Sequence, residues 1–305
     1  GSAFGLGKTH EILIGFHSPG SPKELTTELA EAFKERLLIR PNPYWVDATG
    51  ALGRLLPVDP RYERQESLLE QLFGWAIRPP IQNRWYGMLD YGDTLSWHRN
   101  QDDDQWYPEY DWHPVGRWGW YNCEGSGTHT GALLQFARSG NWQYFEFGEN
   151  LARHITDVDT IHYDTIANDP RLKNLLDKSY SQVGSMHRHN ADHWGGRSDE
   201  ASHTNVWGLI LYHYITGDER ARDVALEVGE FFLSEPFTYA KHPDVAPARA
   251  LANTLWGDVL LYELTGEEKF KNGADKIIEV FLKGQQADGS FLENYNPMDG
   301  SDLPG

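Results

Sequence analysis

The chain has 305 residues, enough for one large domain or two small ones and ample for a sizeable core. Its formal charge of -18, from 45 acids against 27 bases, argues against nucleic acid or an anionic membrane as partner. No apolar run approaches a membrane span, the N-terminus shows no signal-peptide pattern, and the single Cys123 excludes an internal disulfide framework while leaving the compartment open.

Near the start, Gly5-Leu-Gly-Lys8-Thr9 invites a phosphate-loop reading. The spacing fails, because the first glycine of that motif would have to be residue 2, which is Ser2, and the apolar run follows the motif instead of preceding it. Glu11-Ile-Leu-Ile-Gly-Phe16 reads as one strand, with Lys8 and His10 alternating at its entry. Residues 1–20 are therefore assigned to the end of a β-region or a linker, and 21–305 to a helical domain. Helices are expected over Leu25–Leu38 and Arg64–Ile77.

Twelve Trp, fifteen Tyr and thirteen Phe exceed what an ordinary core requires. Many stand in polar loops, among them Trp85, Trp97, Trp106, Trp112, Trp118, Trp120 and Trp194. Flat rings beside polar side chains suit the faces of sugars, although rings also pack under long loops. The same loops hold Asp90, Asp93, Glu109, Asp111 and Glu124, while Asp102-Asp103-Asp104 reads as a solvated turn.

Beyond this region the chain repeats itself around three glycines. Gly131-Ala-Leu-Leu-Gln-Phe-Ala-Arg-Ser-Gly140, Gly208-Leu-Ile-Leu-Tyr-His-Tyr-Ile-Thr-Gly217 and Gly257-Asp-Val-Leu-Leu-Tyr-Glu-Leu-Thr-Gly266 each pair an apolar helical stretch with Ser or Thr and then Gly. An amphipathic helix follows each, with small or apolar residues in step: Tyr144, Gly148, Leu151 and Ile155; Ala221, Ala225, Val228 and Phe232; Phe270, Ala274, Ile277 and Phe281. Glu146, Glu149, Asp223, Glu227, Asp275 and Glu279 are expected on its watery side. A mostly buried helix, a tight turn and a half-exposed helix form the unit of an all-α, (α/α) toroid of about six hairpins with a short β-strand lead-in. Gln285–Phe291 resembles the turn that follows an outer helix in such toroids.

The spacing between the first two glycines exceeds that between the last two, and the surplus falls between His154 and Ser202. There lies Gly184-Ser-Met-His-Arg-His-Asn-Ala-Asp-His-Trp-Gly-Gly196, a polar loop with three imidazoles beside Arg188 and Trp194. Long loops without structure of their own are commonly functional, and histidine suits both proton transfer and metal binding. Inner helices of a toroid run parallel, so Trp118–His129, His187–His203 and His242–Arg249 are expected to converge on one mouth.

Three chemistries fit these residue types. His187, His189 and His193 have zinc-like spacing, with Asp192 or Glu200 to complete a site, but no cysteine is near and metal is not the favoured reading. A carboxylate pair such as Asp93 with Glu124 or Asp111 would suit glycoside hydrolysis. The favoured reading is β-elimination on a uronic acid polysaccharide, without cofactor: a base takes the C5 proton, cations neutralise the neighbouring carboxylate, and an acid protonates the leaving oxygen. His187 or His189 is expected as base, Arg188 and Lys8 as neutralising cations, and Tyr121 or His129 as the leaving-oxygen donor. Trp118, Trp120 and Trp194 are expected to stack on sugar rings, with Asn122, Glu124, His193 and Arg197 lining the cleft. A carbohydrate-binding toroid without chemistry is the alternative from another class.

Four runs carry a family resemblance: Gly5-Leu-Gly-Lys-Thr-His-Glu11, Trp118-Gly-Trp-Tyr-Asn-Cys-Glu124, Ala152-Arg-His-Ile-Thr-Asp-Val-Asp-Thr-Ile-His162 and Met186-His-Arg-His-Asn-Ala-Asp-His-Trp194. Together they resemble the exo-rhamnogalacturonan lyase (YetA-like) family of polysaccharide lyases, from Gly5 to about Phe281. The resemblance implies an N-terminal β-region followed by an α/α toroid, with elimination on rhamnogalacturonan or a similar uronic acid and rhamnose polymer. Because members of that family are much longer, it also implies a β-domain partner beyond this chain.

Overall fold

The glycines of the repeat explain the architecture of the computed structural model, which describes residues 5–34, 39–87, 91–95, 97–99, 106–108, 120–121, 127–164, 181–186, 201, 204–234, 246–296 and 300–301. Its helices are α1 (Lys23–Lys34), α2 (Pro43–Thr49), α3 (Glu63–Asn83), α4 (Thr128–Ser139), α5 (Trp142–His154), α6 (Trp207–Thr216), α7 (Glu219–Ser234), α8 (Ala248–Thr265) and α9 (Glu268–Gly284). Gly140, Gly217 and Gly266 follow α4, α6 and α8 with φ of 68°, 75° and 70°, the left-handed region that glycine enters without steric cost.

The Ser or Thr before each glycine has a mechanical role. The hydroxyls of Ser139, Thr216 and Thr265 donate to the carbonyls of Gln135, Tyr212 and Leu261, four residues back, at 2.5, 2.6 and 2.7 Å. Each also accepts the backbone N–H two residues on, from Asn141, Asp218 and Glu267. One side chain thereby closes the first helix and opens the second. Side-chain caps at Asn141 and Asp218 then take the N–H groups of Gln143 and Ala221.

The three hairpins α4–α5, α6–α7 and α8–α9 pack side by side, with α4, α6 and α8 touching in succession as an inner row. The start of α4 lies against the start of α6, where His129 packs onto Gly208. The repeat positions face the shared core: Leu151, Ile155, Ala225, Val228, Phe232, Phe270 and Ile277 are all buried there. Each large apolar side chain withdrawn in this way contributes about 1.5–3 kcal/mol before entropy is counted. α3 joins the array through Phe73, which meets Tyr144 edge-on at 5.2 Å, and through the fork of Arg138 on both Glu66 oxygens. Among the described residues these three hairpins, with α2 against α4 and α3 beside them, make up the array, against the about six pairs expected, and no helix is long and apolar enough to cross a membrane.

Several expectations need correction. Glu11–Phe16 is not a strand: it has no regular structure, Ile12 is 79% and Phe16 96% exposed, and no described strand pairs with it. β-propensity needs a ladder partner to become a strand. Strands form elsewhere, in nested antiparallel pairs: β1 (Thr94–Leu95) with β4 (Trp120–Tyr121), and β2 (Trp97–Arg99) with β3 (Trp106–Pro108). A third pair, β5 (Ala246–Pro247) with β6 (Asn294–Tyr295), ties the entry of α8 to the segment after α9. The helix expected from Arg64 extends past Ile77 to Asn83, and α2 had a legible signal in its Asn42 cap followed by Pro43. Glu149 does not face open water, being buried against Tyr212; Glu227 is half-buried, bonded to His162.

Candidate functional site

At the C-terminal end of α5 the helix widens into a π-turn, Ile155–Asp159, and this end carries Arg153 and His154 in its last helical turn. Cations are favoured there by the exposed carbonyls of a helix terminus. The turn brings Asp157 to the lead-in segment: Asp157 accepts both the backbone N–H of Thr9 at 2.8 Å and its hydroxyl at 2.7 Å. Gly7 N–H donates to the Asp157 carbonyl, and His162 N–H donates to the carbonyl of Gly5, so residues 5–9 are laid along the turn.

A cavity of about 150 Å³ opens between these parts. Lys8, Thr9 and Glu11 of the lead-in, Tyr91, Arg153, Thr156, Asp157, Tyr212 on α6, and Asp218 with Arg220 at the start of α7 line it. Lys8 stands 3.9 Å from Asp157, too far for a hydrogen bond. Arg153 donates from Nη2 to Glu11 at 3.1 Å, and its Nε lies 3.7 Å from Glu149. Tyr212 donates its phenolic proton to Glu149 at 2.8 Å, and burial together with that carboxylate holds the phenol well above its ordinary value. Arg220 reaches His162 at 3.5 Å, while His162 bonds Glu227 at 2.9 Å and donates from Nε2 to the Thr156 carbonyl at 2.6 Å.

His154 forms the rear wall. Its Nδ1 donates to the Tyr91 carbonyl at 3.0 Å, and its Nε2 lies 3.4 Å from oxygens of both Asp93 and Asp159. With acceptors on both nitrogens, the ring is an imidazolium. Burial works most strongly against that charge, yet the two carboxylates outweigh it and push the imidazole up to about 9.

Lys8 is the sequence-predicted residue that lines this cavity. Tyr121 and Trp120 form β4, opposite Thr94 and Leu95. His129 is fully buried, and its ring lies over Gly208 so closely that a methyl group there would fall 1.4 Å from Nε2. Asp93 of the hydrolase pair is buried, with its carboxylate 3.4 Å from Nε2 of His154. His187, Arg188, His189, His193, Trp194, Arg197, Trp118, Asn122 and Glu124 lie outside the described residues, as do Asp111, Asp192 and Glu200. The described chain before the His-rich loop ends at Met186, which bridges Thr160, and Ile161 donates to Ser185. That pairing immediately follows the π-turn of the cavity wall. Among the described residues no group of three His, Cys, Asp or Glu side chains is arranged to hold a metal ion.

Sequence reasoning missed Arg153, Arg220, Tyr91 and Tyr212. A signal existed for the first, because Ala152–His162 was one of the runs carrying the family resemblance and supplies Arg153, His154, Thr156 and Asp157 to one wall.

Over 227 residues the chain is 29% identical to YetA of Bacillus subtilis (strain 168), described only as an uncharacterized protein; the match takes in 73% of this chain and 24% of YetA. The chain thus spans about a quarter of that curated relative. The profile of the PcRGLX-like protein C-terminal alpha/alpha toroid domain matches residues 36–232, a run that includes Arg153, Tyr212 and Arg220. The chain belongs to this PcRGLX-like alpha/alpha toroid family.

Proposed function

We propose that the protein is a polysaccharide lyase that cleaves a uronic acid polymer of the rhamnogalacturonan type by β-elimination. The observation that carries this reading is that Lys8 and Arg220 line one cavity without close partners among the described residues, in a chain whose formal charge is -18, while the carboxylates beside them are engaged: Asp157 by Thr9, Glu11 by Arg153 and Asp218 by the N–H of Ala221. Cations collected on an acidic protein favour an anionic ligand, and membership of the toroid family supports a polysaccharide as that ligand.

In the proposed step the C5 proton passes to a base, the C4–O bond breaks as a C4–C5 double bond forms, and the departing oxygen takes a proton. His187 or His189 serves as base. Arg188 and Lys8 neutralise the carboxylate, whose negative charge otherwise makes the C5 proton too weakly acidic. With His129 buried over Gly208, the leaving oxygen falls to Tyr121. Trp118, Trp120 and Trp194 stack on the sugar rings. Acid–base assistance of this kind contributes roughly 10²–10⁴-fold.

Incubation with rhamnogalacturonan and related uronate polymers tests the reaction. Ultraviolet absorbance of the conjugated enoate should rise with each cleavage, and His187→Ala or His189→Ala should suppress it. New reducing ends without that absorbance would reject elimination in favour of hydrolysis.

A further inference from the structure

We propose that the cavity beside the end of α5 is a recognition subsite for a single carboxylated sugar residue, with the carboxylate held by Lys8 and Arg220 and backed by Arg153. Neither arginine belongs to the set to which the elimination chemistry was assigned. This assignment rests on the lyase reading only for the choice of a uronate as ligand.

The donors around the cavity are underused. Both oxygens of Asp157 already accept from Thr9, and Lys8 makes no hydrogen bond among the described residues. Arg220 has one long contact at 3.5 Å, to a His162 nitrogen that Glu227 engages more closely. Arg153 is already engaged, donating to Glu11 and standing beside Glu149 and Tyr212, so it adds positive charge behind the cavity and leaves Lys8 and Arg220 as the donors to fill. A carboxylate entering the cavity would convert these spare N–H groups into charge-assisted bonds, the strongest class available to a side chain. A neutral sugar would leave them unmatched.

The remaining lining suits the rest of a sugar. Asp218 caps α7 through Oδ1, leaving its second oxygen for a hydroxyl, and Glu11 offers a further acceptor. Tyr91 donates its proton to Asn150, so its phenolic oxygen is left to accept. At about 150 Å³ the space is too small for a stretch of polymer and would enclose the carboxylate end of one sugar residue, with the rest of the ring at the mouth.

Calorimetric titration of the full chain with galacturonic acid, its methyl ester, galactose and inorganic phosphate tests the assignment. Saturable binding is expected for galacturonic acid, with the ester and galactose weaker by about tenfold or more. Lys8→Met and Arg220→Met, both at the surface of the fold, should each erase that preference while leaving the circular dichroism spectrum unchanged. Equal binding of acid and ester, indifference to both substitutions, or no saturable binding would overturn the proposal. Phosphate competing as well as galacturonate would overturn the sugar assignment and leave a general anion site. If binding is acid-selective and depends on Lys8 and Arg220 while no enoate ever forms, the lyase reading fails and the subsite stands. If enoate forms and the substitutions leave acid binding intact, the subsite alone fails.

Discussion

Nε2 of His154 lies 3.4 Å from Oδ2 of Asp93, and both side chains are wholly buried. The contact joins the last residue of α5 to the segment that enters β1, and Asp159 completes the clamp from the π-turn at the same distance. The π-turn sets Asp159 five residues after His154, so that half of the triad is local; Asp93 arrives from a segment about sixty residues earlier, and the clamp forms where the two meet.

The charge state of this clamp gives the first prediction. The folded state holds the His154 proton up to about 9. Its contribution to stability is therefore fully present below the ordinary imidazole value, near 6.5, and is lost as pH rises through about 9. Thermal unfolding followed from pH 6 to pH 10 should show a decline over that window. His154→Gln should remove that part of the decline and lower stability at pH 6 by about 3–5 kcal/mol, the usual result of leaving buried carboxylates without their cation. An unchanged pH profile in the variant would show that His154 does not carry the effect.

The second prediction concerns the seam between α4 and α6. A methyl group at Gly208 would fall 1.4 Å from Nε2 of His129, inside a buried contact between inner helices. Gly208→Ala should cost at least about 1–3 kcal/mol through overpacking, read as a lowered midpoint in denaturant. His129→Ala in the same chain makes room for the methyl group, so the double variant should be less impaired than the sum of the single changes. Simple additivity would mean that the two positions do not share the seam.

How much of this was legible in the sequence follows from how local each interaction is. The hairpin turns were readable because a Ser or Thr hydroxyl four residues from its acceptor and a glycine at positive φ are both short-range requirements. The helix faces followed from the same periodicity. The supposed strand at Glu11–Phe16 failed because pairing depends on a neighbour that its own residues cannot specify. Glu149 looked like a solvated charge on an amphipathic helix and is buried only because Tyr212 arrives from a distant part of the chain; Glu227 is half-buried, held by His162. Lys8 was named at the entry to the supposed strand, whereas Arg220, at the start of a helix, carried no local signal of its role on the cavity.

A third prediction separates imidazole chemistry from metal chemistry in the proposed reaction. If His187 or His189 is the base, the lyase rate should fall as pH drops below about 6.5, because a protonated ring cannot accept the C5 proton. Arg188 beside it would shift that fall toward lower pH, and Asp192 toward higher. Chelators should leave the rate unchanged when side-chain cations do the neutralising. Complete loss with chelator, restored by zinc or calcium, would recast His187, His189 and His193 as ligands.

The last prediction concerns Asp258, buried on α8 with Oδ1 meeting no hydrogen-bond partner among the described residues and Oδ2 facing Gly273 of α9. Burial pushes its carboxyl up to about 7. The folded state therefore favours the protonated acid, in the opposite sense to a salt-bridged carboxylate. Stability from this group is highest at low pH, declines as pH rises from the ordinary carboxylate value near 4 to about 7, and is level above that. Asp258→Asn removes the ionisation while keeping nearly the same shape, so it should flatten this part of the profile. Above pH 7 it should raise stability by about 1–3 kcal/mol, since each tenfold change in proton affinity corresponds to about 1.4 kcal/mol and the new amide is itself imperfectly bonded. Unfolding curves at pH 5 and pH 8 decide the matter: the variant should gain on the parent chain only at the higher pH. A gain of equal size at both would mean that packing, and not the charge on Asp258, sets the difference.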